Sequence, residues 1–154
     1  MHKYPQIKFD VLKTNDFELW KTKITNNKEK YDALLPLQPY SLMDVNKQYI
    51  LPQEVVSWIY HHSPTPTIFT AEWHIKCGGT LAIAHRPSAQ GIFAAKLTKE
   101  ILTDKLSLPQ PLIPPQGDIL INYASTEKLK IKIPFDLLST AKIHKSVETP
   151  CDPK

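Results

Sequence analysis

The chain has 154 residues, with 14 prolines and only 4 glycines, whereas a soluble protein of this length averages about 11 glycines and about 8 prolines. Its glycines form neither a G-x-G-x-x-G nor a G-x-x-x-x-G-K-[ST] pattern, which excludes the two commonest glycine-rich phosphate loops. The net charge is +4, from 19 Lys and Arg against 15 Asp and Glu. Arg86 is the only arginine, which disfavours a dedicated nucleic-acid binder.

The length predicts one α+β domain over residues 1–144 and a loose tail over 145–154. No apolar stretch approaches 18 residues, and the amino terminus lacks a signal-peptide pattern, so we expect no membrane span and a cytoplasmic location. Cys77 and Cys151 are too few for a disulfide framework. We expect both to be reduced, and a single bridge between them is the alternative.

The first part of the chain predicts a strand followed by two helices. Residues 6–13 alternate between apolar and polar, as in a short strand. A capped helix over 16–27 follows, with a strand as the competing interpretation. The prolines in 33–51 predict an extended segment, and Pro52 predicts the first position of a short helix over 52–62.

The clearest pattern covers residues 67–85. Apolar and polar residues alternate up to Cys77, and Gly78-Gly79 resembles a two-residue turn, so we predict a β-hairpin. The register of that hairpin would place Glu72 opposite His85 on the polar face.

The rest of the chain predicts a helix over about 89–105, a proline-stiffened connector over 107–116 and a second hairpin over 118–133. A closing helix near 134–144 completes the fold. The predicted fold class is therefore α+β, with a mostly antiparallel sheet built from two β-hairpins (about 67–85 and 118–133) backed by helices.

Glu72, His74 and His85 are the candidate catalytic residues. A carboxylate beside an imidazole fixes its tautomer and raises its pKa, which prepares a general base. The alternative is a solvated polar face whose cross-strand ion pair only stabilises the sheet. Cys77 is a weaker candidate nucleophile, because its phase places it on the apolar face.

The second candidate is an anion-binding loop formed by Arg86, Ser88, Gln90 and Gly91, where a strand leads into a helix N-terminus. We expect no metal site, because the spacing of the histidines matches no standard zinc pattern. We also expect no cofactor.

The third candidate is a basic face formed by Lys128, Lys130 and Lys132 on the last strand of the second hairpin. These lysines could meet nucleic acid or an acidic partner, but no exposed aromatic side chain is interleaved with them. A solvated outer face of the sheet is the alternative.

The sequence favours a small intracellular binding or adaptor protein, a subunit of a larger assembly with a protein partner. The first alternative is a small enzyme that acts on an anionic or acyl-carrier substrate through Glu72, His85 and the 86–91 loop. The second alternative is a weak nucleic-acid binder that uses the basic face.

Overall fold

The structure, a computed structural model, describes residues 6–26, 30–37, 39–103, 117–149 and Cys151. Besides one 3-10 turn at Pro39–Ser41, its elements in chain order are α1 (Phe17–Thr25), α2 (Pro52–His62), β1 (Ile68–Phe69), α3 (Glu72–Lys76), β2 (Leu81–Ala84), α4 (Pro87–Leu102), β3 (Asp118–Asn122), α5 (Tyr123–Lys128), α6 (Phe135–Thr140) and β4 (Lys142–His144). Within these ranges, no helix has the length and apolar character needed to cross a membrane.

The four strands form one mixed sheet in the order β1-β2-β3-β4. β1 runs parallel to β2, β2 is antiparallel to β3, and β3 runs parallel to β4. An isolated parallel bridge between Leu34 and Thr67 adds an extended segment beside β1. The α+β character is therefore confirmed, whereas the mostly antiparallel sheet of hairpins is wrong.

Residues 67–85 do not form a hairpin, because β1 and β2 are parallel. Parallel neighbours need a crossover of about a dozen residues, and α3 lies within that crossover. Gly78 has a φ of +100°, and a Cβ there would lie 2.6 Å from Cγ of Tyr60. A Cβ on Gly79 would lie 2.6 Å from the ring of Phe69. The two glycines therefore end the crossover at a tightly packed turn rather than joining two antiparallel strands.

The second predicted hairpin, over 118–133, is also wrong after its first strand. β3 is present, but α5 begins directly after it. The side chain of Asn122 accepts a hydrogen bond from the backbone N–H of Ser125 at 3.0 Å and so caps the helix. Lys130 then adopts a positive φ of 55°, which no regular strand contains.

Several helices lie close to their predicted positions. α1 confirms the helix, rather than the strand, that we considered for residues 16–27. α2 begins at Pro52 as predicted. α4 takes the place of the helix predicted over 89–105. The predicted connector over 107–116 lies outside the described residues.

Two terminal predictions are wrong. Residues 6–13 pair with no strand among the described residues and leave Phe9 exposed. The closing helix over 134–144 is divided into α6 and β4, because Ala141 leaves the helix with extended backbone angles and the next three residues join the sheet beside β3.

One apolar cluster joins α2, α3 and the first three strands. Its most deeply buried members are Val55, Val56, Ile59, Phe69, Ile75, Cys77, Ala82 and Leu120. Burial of an aliphatic or aromatic side chain of this size contributes about 1.5–3 kcal/mol each. This cluster therefore holds α3 against β2 and β3.

The segment after residue 144, which we expected to be loose, contacts α3. The N–H of Glu148 donates to the carbonyl of Lys76 at 2.9 Å, and Nδ2 of Asn122 donates to the carbonyl of Ser146 at 3.1 Å. Cys151 forms a disulfide with Cys77 across a Cα–Cα distance of 5.2 Å, within the usual range. The expectation of two reduced cysteines is therefore wrong in this structure, since the fold brings both to one place.

Candidate functional site

A stack of aromatic rings lies at the carboxyl end of β1. The imidazole of His74 is 4.4 Å from the ring of Phe69 and 3.8 Å from the ring of Trp73, measured between ring centroids. Tyr40 approaches Trp73 at 6.3 Å and His74 at 6.5 Å. We call these four residues the His74 stack. His74 is buried and Tyr40 is 52% exposed, so the stack reaches the surface through the tyrosine.

Burial lowers the pKa of His74 from 6.5 to about 4, so the imidazole is neutral at pH 7. Its Nδ1 lies 3.3 Å from the carbonyl oxygen of Ala71, and because a carbonyl only accepts, Nδ1 carries the proton. Nε2 is then a bare acceptor, buried and without a hydrogen-bond partner among the described residues. A buried acceptor without a partner costs about 1–3 kcal/mol, which a donor group would recover.

The local sequence explains why His74 points inward. Ala71 keeps extended angles (φ −136°, ψ 149°) and α3 begins at the next residue. In a helix, neighbouring residues are about 100° apart, so His74 and Ile75 share the buried side. The prediction of His74 on the solvated face of a strand is wrong for this reason.

The predicted pair of Glu72 and His85 is also wrong, because it depended on the hairpin. Glu72 lies on α3, and His85 follows β2 and is exposed. Oε1 of Glu72 instead lies 3.7 Å from Nε2 of His144 on β4. The basis for a general base at Glu72 and His85 is therefore removed.

Arg86 of the predicted anion-binding loop is already paired with an acid. Its Nε donates to Oδ2 of Asp118, and Nζ of Lys142 lies 3.1 Å from the same oxygen. The hydrogen bond from Arg86, followed by that from Lys142, lowers the pKa of Asp118. An external anion would have to compete with this carboxylate.

The other loop residues occupy the first turn of α4. Ser88 and Gly91 are exposed, and Gln90 is half-buried. A Cβ on Gly91 would meet nothing within 4 Å, so no close approach within the chain requires glycine there. Anion binding by this turn stays a prediction.

The three lysines of the predicted basic face do not share a strand. Lys128 lies in α5, and its ammonium donates to the carbonyls of Tyr60 and His61 and lies 4.4 Å from the centre of the Tyr60 ring. Desolvation lowers its pKa. Lys130 and Lys132 follow the helix. Lys128 is engaged by α2, whereas Lys130 and Lys132 line a pocket beside α5. The three lysines therefore do not form one flat strand face.

Cys77 is buried in the disulfide and is not a free nucleophile in this structure. The part of the chain that the structure describes contains no group of three His, Cys, Asp or Glu side chains placed to hold a metal ion. His62 instead stacks on Trp58 with 4.6 Å between ring centroids, and its Nδ1 lies 2.9 Å from the carbonyl of that residue.

Sequence reasoning missed the exposure of α4. None of its sixteen residues is buried. Phe93, Leu97 and Ile101 are half-buried along one side, while Ile92 and Leu102 are 59% and 78% exposed. The sequence does contain a signal for this exposure. Ile92 and Leu102 lie outside the apolar stripe that a helix needs for packing on one face, so the apolar surface of α4 is broader than its core contact requires.

No protein-family model and no curated protein matches the chain. Two solved structures are similar to it in fold. A conserved domain protein from Vibrio cholerae O1 biovar eltor has a TM-score of 0.51 and 20% identity, over 81% of this chain and 40% of that one. The ABC domain in complex with L-Trp from Streptococcus pneumonia has a TM-score of 0.53 and 18% identity, over 87% and 43%. The chain therefore shares the fold of about two fifths of each of these structures.

Proposed function

We propose that this protein is a binding module that acts as part of a larger protein assembly. The observation that carries the proposal is α4, a sixteen-residue helix without a buried residue. Helices of this length are marginal in water unless they pack an apolar face against protein. Ile92 and Leu102 present such a face to solvent.

The kind of partner that we propose draws on the lengths of the two similar structures. The chain covers only 40% and 43% of the two structures that share its fold. In both of these structures, the region that shares this fold is therefore joined to further protein. We propose that a further protein domain, in the same polypeptide or in a separate subunit, covers α4.

Cross-linking in cells tests this proposal. The tagged full-length protein would be treated with a lysine-reactive cross-linker in its native cells, and the linked peptides identified by mass spectrometry. Lys96 and Lys99 lie on α4 and are exposed. We expect links from these two lysines to a further domain. Links confined to residues of this chain would contradict the proposal.

A pair of variants makes the test specific to α4. Ile92→Gln combined with Leu102→Gln removes exposed apolar side chains and should abolish the α4 cross-links without lowering Tm. Val45→Gln is the matched control, because Val45 is an exposed apolar residue outside α4. An equal loss of α4 cross-links in the double variant and in Val45→Gln would show that α4 does not make the contact.

A second candidate function is the binding of a free aromatic amino acid at the His74 stack. The similar structure from Streptococcus pneumonia is described in complex with L-Trp. The His74 stack offers an exposed aromatic ring at Tyr40 and an unpaired acceptor at Nε2 of His74. An aromatic amino acid would supply a ring to stack on the exposed face of Tyr40.

Isothermal titration calorimetry with L-Trp, L-Phe and L-Glu tests the second candidate. We expect heat for the aromatic amino acids and a loss of affinity of about tenfold in Tyr40→Ala, in keeping with the 0.5–1.5 kcal/mol of a ring pair. Tyr49→Ala is the control, since that tyrosine is exposed outside the stack. Absence of heat for all three ligands would remove this candidate.

The two alternatives from the sequence have less support. The enzyme with an anionic or acyl-carrier substrate loses the Glu72–His85 pair, and the nucleic-acid binder loses its continuous basic face. A cytoplasmic location stays a prediction. The Cys77–Cys151 disulfide argues against it, because the cytosol keeps thiols reduced.

A further inference from the structure

A groove lies between α5 and α6. Its lining residues belong neither to the His74 stack nor to α4. It has a volume of about 330 Å³, and its lining includes Tyr123, Lys130, Ile131, Lys132, Ile133 and Leu138. We call it the α5–α6 groove. The volume is at the lower end of that of ordinary ligand sites, which is enough for one or two side chains of a partner.

The charges of the groove favour an anionic partner. Lys130 and Lys132 line it, and neither ammonium has an ion-pair or hydrogen-bond partner among the described residues. The one acid in the lining, Glu127, interacts with the hydroxyl of Tyr123 and raises the pKa of that tyrosine. Lys128, by contrast, is engaged by two backbone carbonyls on α2. Two of the three lysines in this region are therefore available to a carboxylate.

The apolar surface extends beyond the groove. Ile131 and Ile133 line it from the segment after α5, and Leu138 lines it from α6. Phe135, the first residue of α6, is 81% exposed. Because Phe135 precedes Leu138 by three residues on α6, the two share one side of that helix. An occupant that covered both would be a peptide segment rather than a small molecule.

We propose that the α5–α6 groove binds an acidic peptide segment of a protein partner, with carboxylates on Lys130 and Lys132 and an apolar side chain against Ile131 and Leu138. This inference rests on the proposed role as a binding module and names one class of partner for it. It involves a surface other than α4, so each can fail without the other.

Fluorescence polarisation with labelled peptides tests the proposal on the full chain. The probe is a peptide of alternating Glu and Leu, and the comparison peptide has Gln in place of each Glu. We expect the acidic peptide alone to bind, with affinity falling as salt is raised. Equal binding of the Gln peptide, or no binding of the acidic peptide, would overturn the proposal.

The variant Lys130→Asn with Lys132→Gln locates the site, and Asn is chosen because it tolerates the positive φ of residue 130. Two exposed ion pairs of up to about 1 kcal/mol each predict a loss of affinity of about tenfold. Lys96→Gln with Lys99→Gln on α4 is the charge-matched control, and circular dichroism melting checks the fold. Equal loss in both variants, or equal binding of a DNA oligonucleotide, would overturn the proposal, whereas cross-links at α4 would still report separately on the larger assembly.

Discussion

His74 combines two properties that rarely occur together at a surface stack. Its imidazole is neutral because burial lowers the pKa to about 4, and its Nε2 has no partner among the described residues. A neutral acceptor beside an exposed tyrosine can select a ligand donor without attracting cations in general.

The low pKa of His74 predicts a pH dependence of stability. In the unfolded chain this group binds a proton below about pH 6.5, whereas in the folded protein it does so only below about pH 4. The unfolded state therefore holds more protons in this window, so the stabilisation is complete above pH 6.5 and is lost as the pH falls toward 4. We therefore expect Tm to decrease as the pH is lowered from 6.5 to 4.

The control for this prediction is a comparison of slopes. His74→Gln should flatten the decrease in Tm between pH 6.5 and 4, whatever its effect on Tm at pH 7. His85→Gln changes an exposed histidine and should leave the slope unchanged. A slope in His74→Gln as steep as that of the unmodified protein would contradict the buried neutral imidazole.

Gly78 and Gly91 should respond in opposite ways to alanine. Gly78→Ala forces a Cβ against Tyr60 at a φ of +100° and should destabilise the protein by about 1–3 kcal/mol. Gly91→Ala adds a Cβ in open space within a helix and should stabilise by about 0.5–1 kcal/mol. Urea unfolding measures both, and destabilisation by Gly91→Ala would indicate a contact that the structure does not contain.

Among the elements, the disulfide should make a large contribution to stability. It spans 74 residues, and loop-closure entropy for a loop of this size corresponds to about 4 kcal/mol. We expect Cys151→Ser to lower the free energy of unfolding by an amount of this order, measured in denaturant without reductant.

Reductant provides the control for the disulfide. Added dithiothreitol should lower the stability of the unmodified protein to that of Cys151→Ser and should leave the variant unchanged. Two free thiols in the native protein, counted by alkylation and mass spectrometry, would contradict the bond.

The elements that could be predicted are those whose signals are local. Pro52 marks the first position of α2, and the β-rich run from Asp118 marks β3. α3 could not be recognised, because five residues make less than two helical turns and a period of 2 fits them as well as a period of 3.6. The error then placed the buried His74 on a solvated face and produced the false cross-strand pair of Glu72 and His85.

Local sequence patterns could not predict whether neighbouring strands are parallel or antiparallel. The parallel pairing of β1 with β2 depends on the crossover through α3, and that of β3 with β4 depends on residues about twenty positions apart. The same is true of Cys77 and Cys151, whose spacing in sequence contains no information about their distance in the fold. The candidate site could therefore be predicted only as a region near residue 72, not as the His74 stack.

At the scale of the whole molecule, protection from exchange should vary across the fold. β2 and β3 pair along four residues and contribute buried side chains to the core, whereas α4 contributes none. Amides whose hydrogen bonds lie under little buried surface exchange through low-energy local opening. We expect hydrogen exchange in the isolated chain to be fast in α4 and slow in β3.

The partner should reduce this difference in exchange rate between α4 and β3. Binding of a further domain should slow exchange in α4 and leave β3 unchanged. Equal protection of α4 and β3 in the isolated chain would show that α4 is already packed.

The Cys77–Cys151 bond also changes the covalent connectivity of the molecule. It closes a ring that includes β2, β3, β4 and α4, while β1 and α2 lie outside it. A protease that cuts the backbone once between residues 78 and 150 therefore releases no fragment, and the nicked protein migrates as a single species until it is reduced. Such a protein can tolerate a cut within the ring without losing either half of its sheet.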